Sequence, residues 1–309
     1  MKVLITGGGG FIGSHLTKAL LERNEEVIVC TKDNSQMNQM EISNKNLIIV
    51  KGDITDAEAL VGYVLKYSPN FIVHLAAITG IKRCLDLPHE CFYVNVYGTF
   101  NVVMATLKIN AKLIFASSRE VYGETIGEMS SEDDPLLPNN LYGLTKLLAE
   151  QIIIWAGKKY GLNYTILRFT NVYGPGGDKY GLQKIVQKAL KGEKIQILGG
   201  DQVMNFVYVD DVIRAILLTL ENKKSTKEIF NVGSYDNIKV DDLVHKIIKL
   251  TGKNIEVEHA PYRKTETMFF RPDLSKITKV LGWMPQIDID TGLLYTIEWY
   301  RTHLTNNDK

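Results

Sequence analysis

Tyr142 and Lys146 stand four residues apart in the stretch NNLYGLTKLLAE, a spacing that sets both on one face of a helix with their heads converging. An ammonium beside a phenol favours the phenolate, so Lys146 would lower the Tyr142 pKa and let it take a hydroxyl proton at neutral pH. The same cation can hold a ribose. Such pairs also occur on amphipathic helices that do no chemistry, and the weight of this one comes from what precedes it. Twenty-four residues upstream of Tyr142, the apolar run of LIFASSREVYGE ends in Ser117 and Ser118. Doubly wound sheets place their ligands at the carboxyl ends of such strands. Ser118 is therefore placed to hydrogen-bond the oxygen that Tyr142 deprotonates.

These side chains need a scaffold, and the chain supplies one by alternation. Apolar, β-branched runs at 3–5, 27–30, 47–50, 71–75, 113–116 and 165–167 read as buried parallel strands. Helical apolar spacing fills 11–23, 57–65, 89–109 and 142–159 between them. The expected fold is α/β, a Rossmann-type doubly wound parallel sheet over residues 1–168, followed by a smaller α/β substrate lobe over 169–309. Some segments of the second part are expected to return to the first. Helical patterns recur at 211–221, 240–251 and 291–302, with no internal repeat or low-complexity tract.

The first strand runs straight into Gly7, Gly10 and Gly13, and a helix pattern opens there. Strand, glycine turn and helix together form the context of a dinucleotide fingerprint, although the spacing departs from Gly-x-Gly-x-x-Gly. Glycine lets backbone approach a pyrophosphate at the helix amino terminus, where free N–H groups and the dipole favour an anion. Asp53 in VKGDITD is placed to contact an adenine with Ile54 against the ring. Its alternative is turn chemistry beside a capping box formed by Thr55 and Glu58.

Composition removes several classes. With 309 residues, 45% of them apolar, the chain can bury a large core, and 36 basic against 35 acidic residues give a net charge of +1. No basic field points to nucleic acid, no apolar run reaches membrane-span length, and no metal site is expected. Cys30, Cys84 and Cys91 form no Cys-x-x-Cys pair, which suggests three free buried thiols in a reducing, cytoplasmic setting rather than disulfides.

The motifs TGGGGFIGSH, KGDITD, HLAA, NVYGTFNV, SSREVYGE, YGLTK, LRFTNVYGPGG, FVYVDDV and LGWMP follow one another across nearly the whole chain. In that order they resemble the extended short-chain dehydrogenase/reductase family, specifically its nucleotide-sugar epimerases and dehydratases. The resemblance implies a sugar-nucleotide substrate, NAD or NADP, and a 4-keto sugar formed by hydride transfer from carbon 4. It assigns Ser118, Tyr142 and Lys146 to catalysis. It assigns Gly7, Gly10, Phe11, Ile12, Gly13, Thr31, Lys32, Asp53, Ile54, Leu75, Ala76, Ala77 and Asn95, with Tyr142 and Lys146, to the cofactor. Asn95 would support the active-site lysine. Ser117, Arg119, Asn171, Arg263 and Arg271 would line the substrate, with Asn171 at the diphosphate. A homodimer through the two long helices is also implied.

Three departures from that pattern carry information. The related 4,6-dehydratases read Thr-Asp-Glu where this chain reads Ser118-Arg119-Glu120, keeping the glutamate that takes the carbon-5 proton but replacing the aspartic acid that helps the leaving hydroxyl. A guanidinium stays charged and cannot replace that acid. Glu120 is thus either a base or a structural residue. Met204 stands where an arginine would grip the diphosphate, leaving Arg263 and Arg271 to compensate. Asp210 and Asp211 read as acids at a helix start, favoured by its dipole. After the second strand, Thr31-Lys32 replaces the acid that binds a ribose 2′-hydroxyl, which leans toward NADP unless Asp33 reaches back. The main expectation is an epimerase or dehydratase working through a 4-keto sugar. Its alternatives are an NADPH-dependent 4-keto-sugar reductase and a non-catalytic NAD(P) sensor.

Overall fold

The computed structural model describes residues 1–32, 42, 44–124, 129–177, 181–262, 265 and 267–307. Ten of the twelve strands are β1 (Lys2–Thr6), β2 (Glu26–Thr31), β3 (Leu47–Lys51), β4 (Phe71–His74), β5 (Lys112–Ser118), β6 (Asn163–Phe169), β7 (Asn171–Tyr173), β8 (Ile195–Leu198), β9 (Val203–Tyr208) and β10 (Glu228–Val232). The other two are β11 (Asn237–Lys239) and β12 (Val257–Ala260). Seven of them form one parallel sheet in the order β10-β6-β5-β4-β1-β2-β3. The strand order reverses between β1 and β4, which opens a crevice at their carboxyl ends, where open α/β sheets bind ligands. Val3, Leu4, Ile5, Val27 and Val29 are buried as a strand covered on both faces requires. β3 differs from the buried strand its apolar run suggests: it is the outermost strand, and Ile48 and Ile49 are 41% and 44% exposed.

Eleven helices complete the fold among the described residues: α1 (Phe11–Glu22), α2 (Ala57–Tyr67), α3 (Ile81–Asp86), α4 (Pro88–Phe92), α5 (Thr99–Leu107), α6 (Leu141–Tyr160), α7 (Gly181–Lys191), α8 (Val209–Glu221), α9 (Val240–Thr251), α10 (Ser275–Leu281) and α11 (Ile289–Asn307). Asp56 caps α2 by accepting from the Ala59 amide at 3.0 Å, so the cap is not the Thr55–Glu58 box expected from sequence. The long helical stretch expected over 89–109 is interrupted by a π-helical turn, Tyr93–Gly98. Asn95 inside it accepts from the Ile78 amide at 2.8 Å and donates to the Ile78 carbonyl at 2.9 Å. That double bond to a neighbouring loop accounts for a locally widened turn.

The carboxy-terminal part holds the sheet β11-β9-β7 and the pair β12-β8, with α7, α9 and α11 packed together. β10 then leaves this lobe and pairs with β6, completing the large sheet. α8 packs on α1, so one core of buried residues spans both parts. Among the described residues no helix is long and apolar enough to cross a membrane.

The cysteines correct one expectation. Cys84 on α3 and Cys91 on α4 are joined by a disulfide, and only Cys30 is a free thiol. Pro88 cannot continue α3, so the chain turns there and brings the two α-carbons to 5.2 Å. Burial, reinforced by Asp53, pushes the Cys30 thiol up to about 11.

Candidate active site

β5 ends at Ser118, and a short 3-10 turn, Arg119–Val121, follows with the Ser118 hydroxyl accepting from the Glu120 amide at 3.2 Å. α6 starts beside it. Asn140 caps α6 by accepting from the Gly143 amide at 2.9 Å and donates to Glu120 Oε2 at 2.8 Å. A Cβ on Gly143 would lie 2.3 Å from the Glu120 carbonyl, so only glycine lets α6 come this close to the end of β5. One turn into the helix, the buried Lys146 donates to the Ala116 carbonyl at 2.8 Å and lies 6.0 Å from the centre of the Tyr142 ring. These bonds gather Ser118, Tyr142 and Lys146 at one corner. Desolvation lowers the Lys146 ammonium to about 8, with Glu150 pulling the other way, so it stays protonated at neutral pH.

The two serines at the end of β5 face opposite sides, as successive residues of a strand must. Ser117 is buried and donates to Glu150 rather than facing the corner that holds Ser118. Glu150 also takes both Nε (3.1 Å) and Nη2 (2.8 Å) of Arg168, whose Nη1 donates to Tyr122 Oη at 2.9 Å and the Glu132 carbonyl at 3.1 Å. The Tyr122 hydroxyl in turn donates to Asn231 Oδ1 at 2.7 Å. This chain ties β5, α6, β6 and β10 together. Arg119 is equally buried and pairs with its neighbour, Nη2 to Glu120 Oε1 at 2.7 Å, while its Nε and Nη1 have no partner among the described residues.

The glycine turn fits a dinucleotide. Gly7 has φ +72°, and a Cβ there would lie 2.7 Å from the Ala76 amide nitrogen, so the turn closes against the end of β4 at the switch point. Gly10 precedes α1 with no side chain capping it, leaving the first N–H groups of a twelve-residue helix open to an anion. Phe11, Ile12 and Gly13 form that first turn. Thr31 ends β2, and the next residue, Lys32, bonds Asp53 Oδ2 at 2.5 Å. Burial raises the Asp53 carboxyl, but Lys32 and Thr55 outweigh it and hold it below the usual range. Ile54 is buried against Gly98, and Asn101 donates to its carbonyl at 3.0 Å. Leu75, Ala76 and Ala77 follow β4 along the same crevice.

Asn95 reaches the active-site lysine only through a neighbour. Its amide donates to Thr145 Oγ1 at 3.0 Å, the residue before Lys146. Asn171 on β7 donates to the Asn205 carbonyl at 2.9 Å, and Met204 is buried on β9. Arg271 is exposed beside Ser234, Tyr235 and Asp273 at the rim of a cleft of about 440 Å³ whose lining does not include Ser118, Tyr142 or Lys146. Arg263 and Asp33 lie outside the described residues. Asp211 does more than start α8: it accepts from the Gln286 and Ile287 amides at 3.0 Å and pairs with Arg214. Asp210 lies 3.9 Å from His15 Nδ1.

Sequence reasoning missed Asn140 and the Glu150–Arg168 pair. Both had a signal. Asn140 is a preferred cap residue two places before Tyr142, and Glu150 continues the Tyr142, Lys146 face by one more turn.

Comparison with known proteins agrees with this geometry. The chain is 31% identical over 319 residues to the UDP-N-acetyl-alpha-D-glucosaminuronate decarboxylase of Bacillus cytotoxicus, covering 97% of this chain and 98% of that protein. It superimposes with a TM-score of 0.92 on the UDP-glucose 4-epimerase of Thermotoga maritima solved with UDP-glucose, at 33% identity over 98% of this chain and 100% of that one. The UDP-glucuronic acid 4-epimerase of Bacillus cereus, solved with UDP-glucuronic acid and NAD, gives 0.91 at 28% identity over 98% and 99% of the two chains. Residues 3–233 match the NAD dependent epimerase/dehydratase family, and this chain belongs to that family.

Proposed function

We propose that this enzyme oxidises the carbon-4 hydroxyl of the sugar in a sugar nucleotide and completes its reaction on the resulting ketone. The carrying observation is the corner where Lys146, held by the Ala116 carbonyl, lies beside the Tyr142 ring at the end of the strand bearing Ser118. In this reading the Ser118 hydroxyl holds the substrate oxygen, the Tyr142 phenolate takes its proton, and the Lys146 ammonium stabilises the phenolate. NAD, when bound along Gly7–Gly13, supplies the hydride acceptor.

Glu120 is bonded to Arg119 and to Asn140, and Arg119 cannot act as the acid for a leaving hydroxyl. This supports an epimerase-type course over 4,6-dehydration. The lean toward NADP rested on Lys32. Its ammonium is bonded to Asp53, so a 2′-phosphate would have to take Lys32 from a carboxylate and lie near that carboxylate's charge. That favours a retained NAD over a consumed NADPH, and with it an epimerase over a net reductase. The proposal includes a homodimer across α5, α6 and the π-helical turn, whose exposed Tyr93, Tyr97, Phe100, Leu144 and Trp155 form apolar surface.

Relatives named for neutral glucose and for uronic sugars are similarly distant from this chain, so the choice of sugar must come from residues at the reacting corner. The test of the reaction is incubation of the purified enzyme with a panel of UDP- and dTDP-sugars without added cofactor. The product is expected to be an isomer, seen by proton NMR and unchanged in mass. Loss of water from the product would establish a dehydratase, a strict need for added NADPH a reductase, and no product from any sugar would favour the sensor.

A further inference from the structure

We infer that Arg119 is a carboxylate receptor at the reacting corner and that the sugar this enzyme selects is a uronic acid. The inference rests on the sugar-nucleotide reading above. Arg119 directly follows Ser118, its side chain is 7% exposed, and of its five donors only one, on Nη2, is engaged, by Glu120 Oε1 at 2.7 Å. Nε and Nη1 are buried and have no partner among the described residues. The guanidinium lies 5.5 Å from the centre of the Phe270 ring, which is itself fully buried and offers no acceptor in the plane of the donors. An arginine with open donors in an apolar wall is costly to keep unless a ligand completes it.

The chemistry of those donors selects the ligand. Nη2 carries a second hydrogen, so together with Nε or Nη1 it offers the planar fork that matches two oxygens of one carboxylate. A sugar nucleotide brings its diphosphate at carbon 1, across the six-membered ring from carbon 4. Arg119 directly follows Ser118 and is linked through Glu120 to Asn140, the cap of the helix that carries Tyr142, so the proposal sets its guanidinium beside the carbons flanking carbon 4 rather than at the far side of the ring. The anion that can stand there is a carboxylate on carbon 5, which is the carbon-6 carboxylate of a uronic acid. Arg119 thus shares itself between Glu120 and the substrate, and a neutral hydroxymethyl group would leave its open donors unmatched.

Titration calorimetry of the full-length protein with UDP, UDP-glucose and UDP-glucuronic acid tests this. The parent enzyme is expected to bind UDP-glucuronic acid about tenfold or more tightly than UDP-glucose, as bonds to a charged group require. In Arg119→Met that preference is expected to vanish while affinity for UDP stays within about twofold. If losing the guanidinium unfolds the protein around Glu120, Arg119→Met combined with Glu120→Gln removes both charges and is read the same way. Equal or tighter binding of UDP-glucose by the parent overturns the inference, and so does a uniform loss for all three ligands, which would assign Arg119 to the diphosphate. Binding of none of UDP, CDP, GDP and dTDP by the parent would instead overturn the sugar-nucleotide reading beneath it.

Discussion

Two buried arginine–glutamate pairs, Arg119–Glu120 in the turn after β5 and Arg168–Glu150 between β6 and α6, are built differently. Arg168 and Glu150 are 2% and 0% exposed, and donors on all three Arg168 nitrogens reach acceptors. Arg119 and Glu120 are nearly as buried, at 7% and 8%, yet two of the Arg119 nitrogens reach nothing. Burial alone therefore does not separate a structural pair from a receptive one. The completeness of the hydrogen bonding does: a fully bonded ion pair ties elements together, whereas the half-bonded one keeps the donors that the inferred carboxylate site requires.

The sharpest way to separate chemistry from scaffold at this corner is Tyr142→Phe. The ring keeps its packing on Leu141 and on the apolar patch around Ile78, but the proton acceptor is gone. Turnover is expected to fall by about 10²–10⁴-fold with the thermal midpoint nearly unchanged. A variant that keeps parental turnover would remove Tyr142 from the reaction.

The pairs themselves are compared by breaking each. Glu150→Gln leaves the Arg168 charge buried without its counter-ion and releases Ser117, so it is expected to cost about 3–5 kcal/mol in urea unfolding. Arg119→Met with Glu120→Gln removes both charges of the other pair at similar volume and is expected to cost less than about 1.5 kcal/mol. Equal costs would mean that the Arg119 pair is scaffold as well.

How much of this was legible depends on the range of each interaction. The sheet, the glycine turn and the Tyr142–Lys146 face are written in local periodicity, and they are found where the pattern places them. Sequence sets Ser118 at catalysis and Ser117 at the substrate beside it, because the strand's direction into the sheet, which sends Ser117 to Glu150 instead, is a tertiary fact. Arg119 and Glu120 could be read as chemistry at sequence level, but their mutual bond and the empty donors depend on Asn140 and Phe270, far along the chain. Cys84 and Cys91 lacked the Cys-x-x-Cys spacing, and only the turn at Pro88 brings them together.

Lys146 is a third kind of buried cation, bonded to a carbonyl with no carboxylate in direct contact among the described residues. Its folded pKa is about 8, against 10.5 for the ordinary side chain. Between those values the unfolded chain binds more protons than the folded one, so stability rises with pH there and the full penalty persists below about 8. Lys112, also lowered to about 8 by burial, adds a similar slope in the parent protein. Lys146→Met should therefore remove only part of the rise, about 3 kcal/mol of it, when urea unfolding is followed from pH 7 to above 10.5. Identical slopes in parent and variant would show that Lys146 is not desolvated.

Sulfur repeats the contrast between a closed and an open pair on a smaller scale. Cys84 and Cys91 are bonded to each other in a patch that packs against Tyr142, while Cys30 is a buried free thiol on β2. Alkylation of the denatured protein without reductant should modify Cys30 only, and all three cysteines after reduction. The loop closed by the bond is short, so Cys84→Ser with Cys91→Ser is expected to cost only about 2 kcal/mol. Reductant should shift the parent's unfolding midpoint to that of the double variant and leave the variant where it is. Because the bonded sulfurs lie behind Tyr142 and Cys91 Sγ accepts from the Asn95 amide at 3.5 Å, the same reduction should loosen the helix start that holds the tyrosine. Its effect would then appear in kcat, while the affinity for UDP is expected to stay constant. Three alkylated cysteines before reduction would show that the bond does not form in solution, and would leave Tyr142 supported by Asn140 and packing alone.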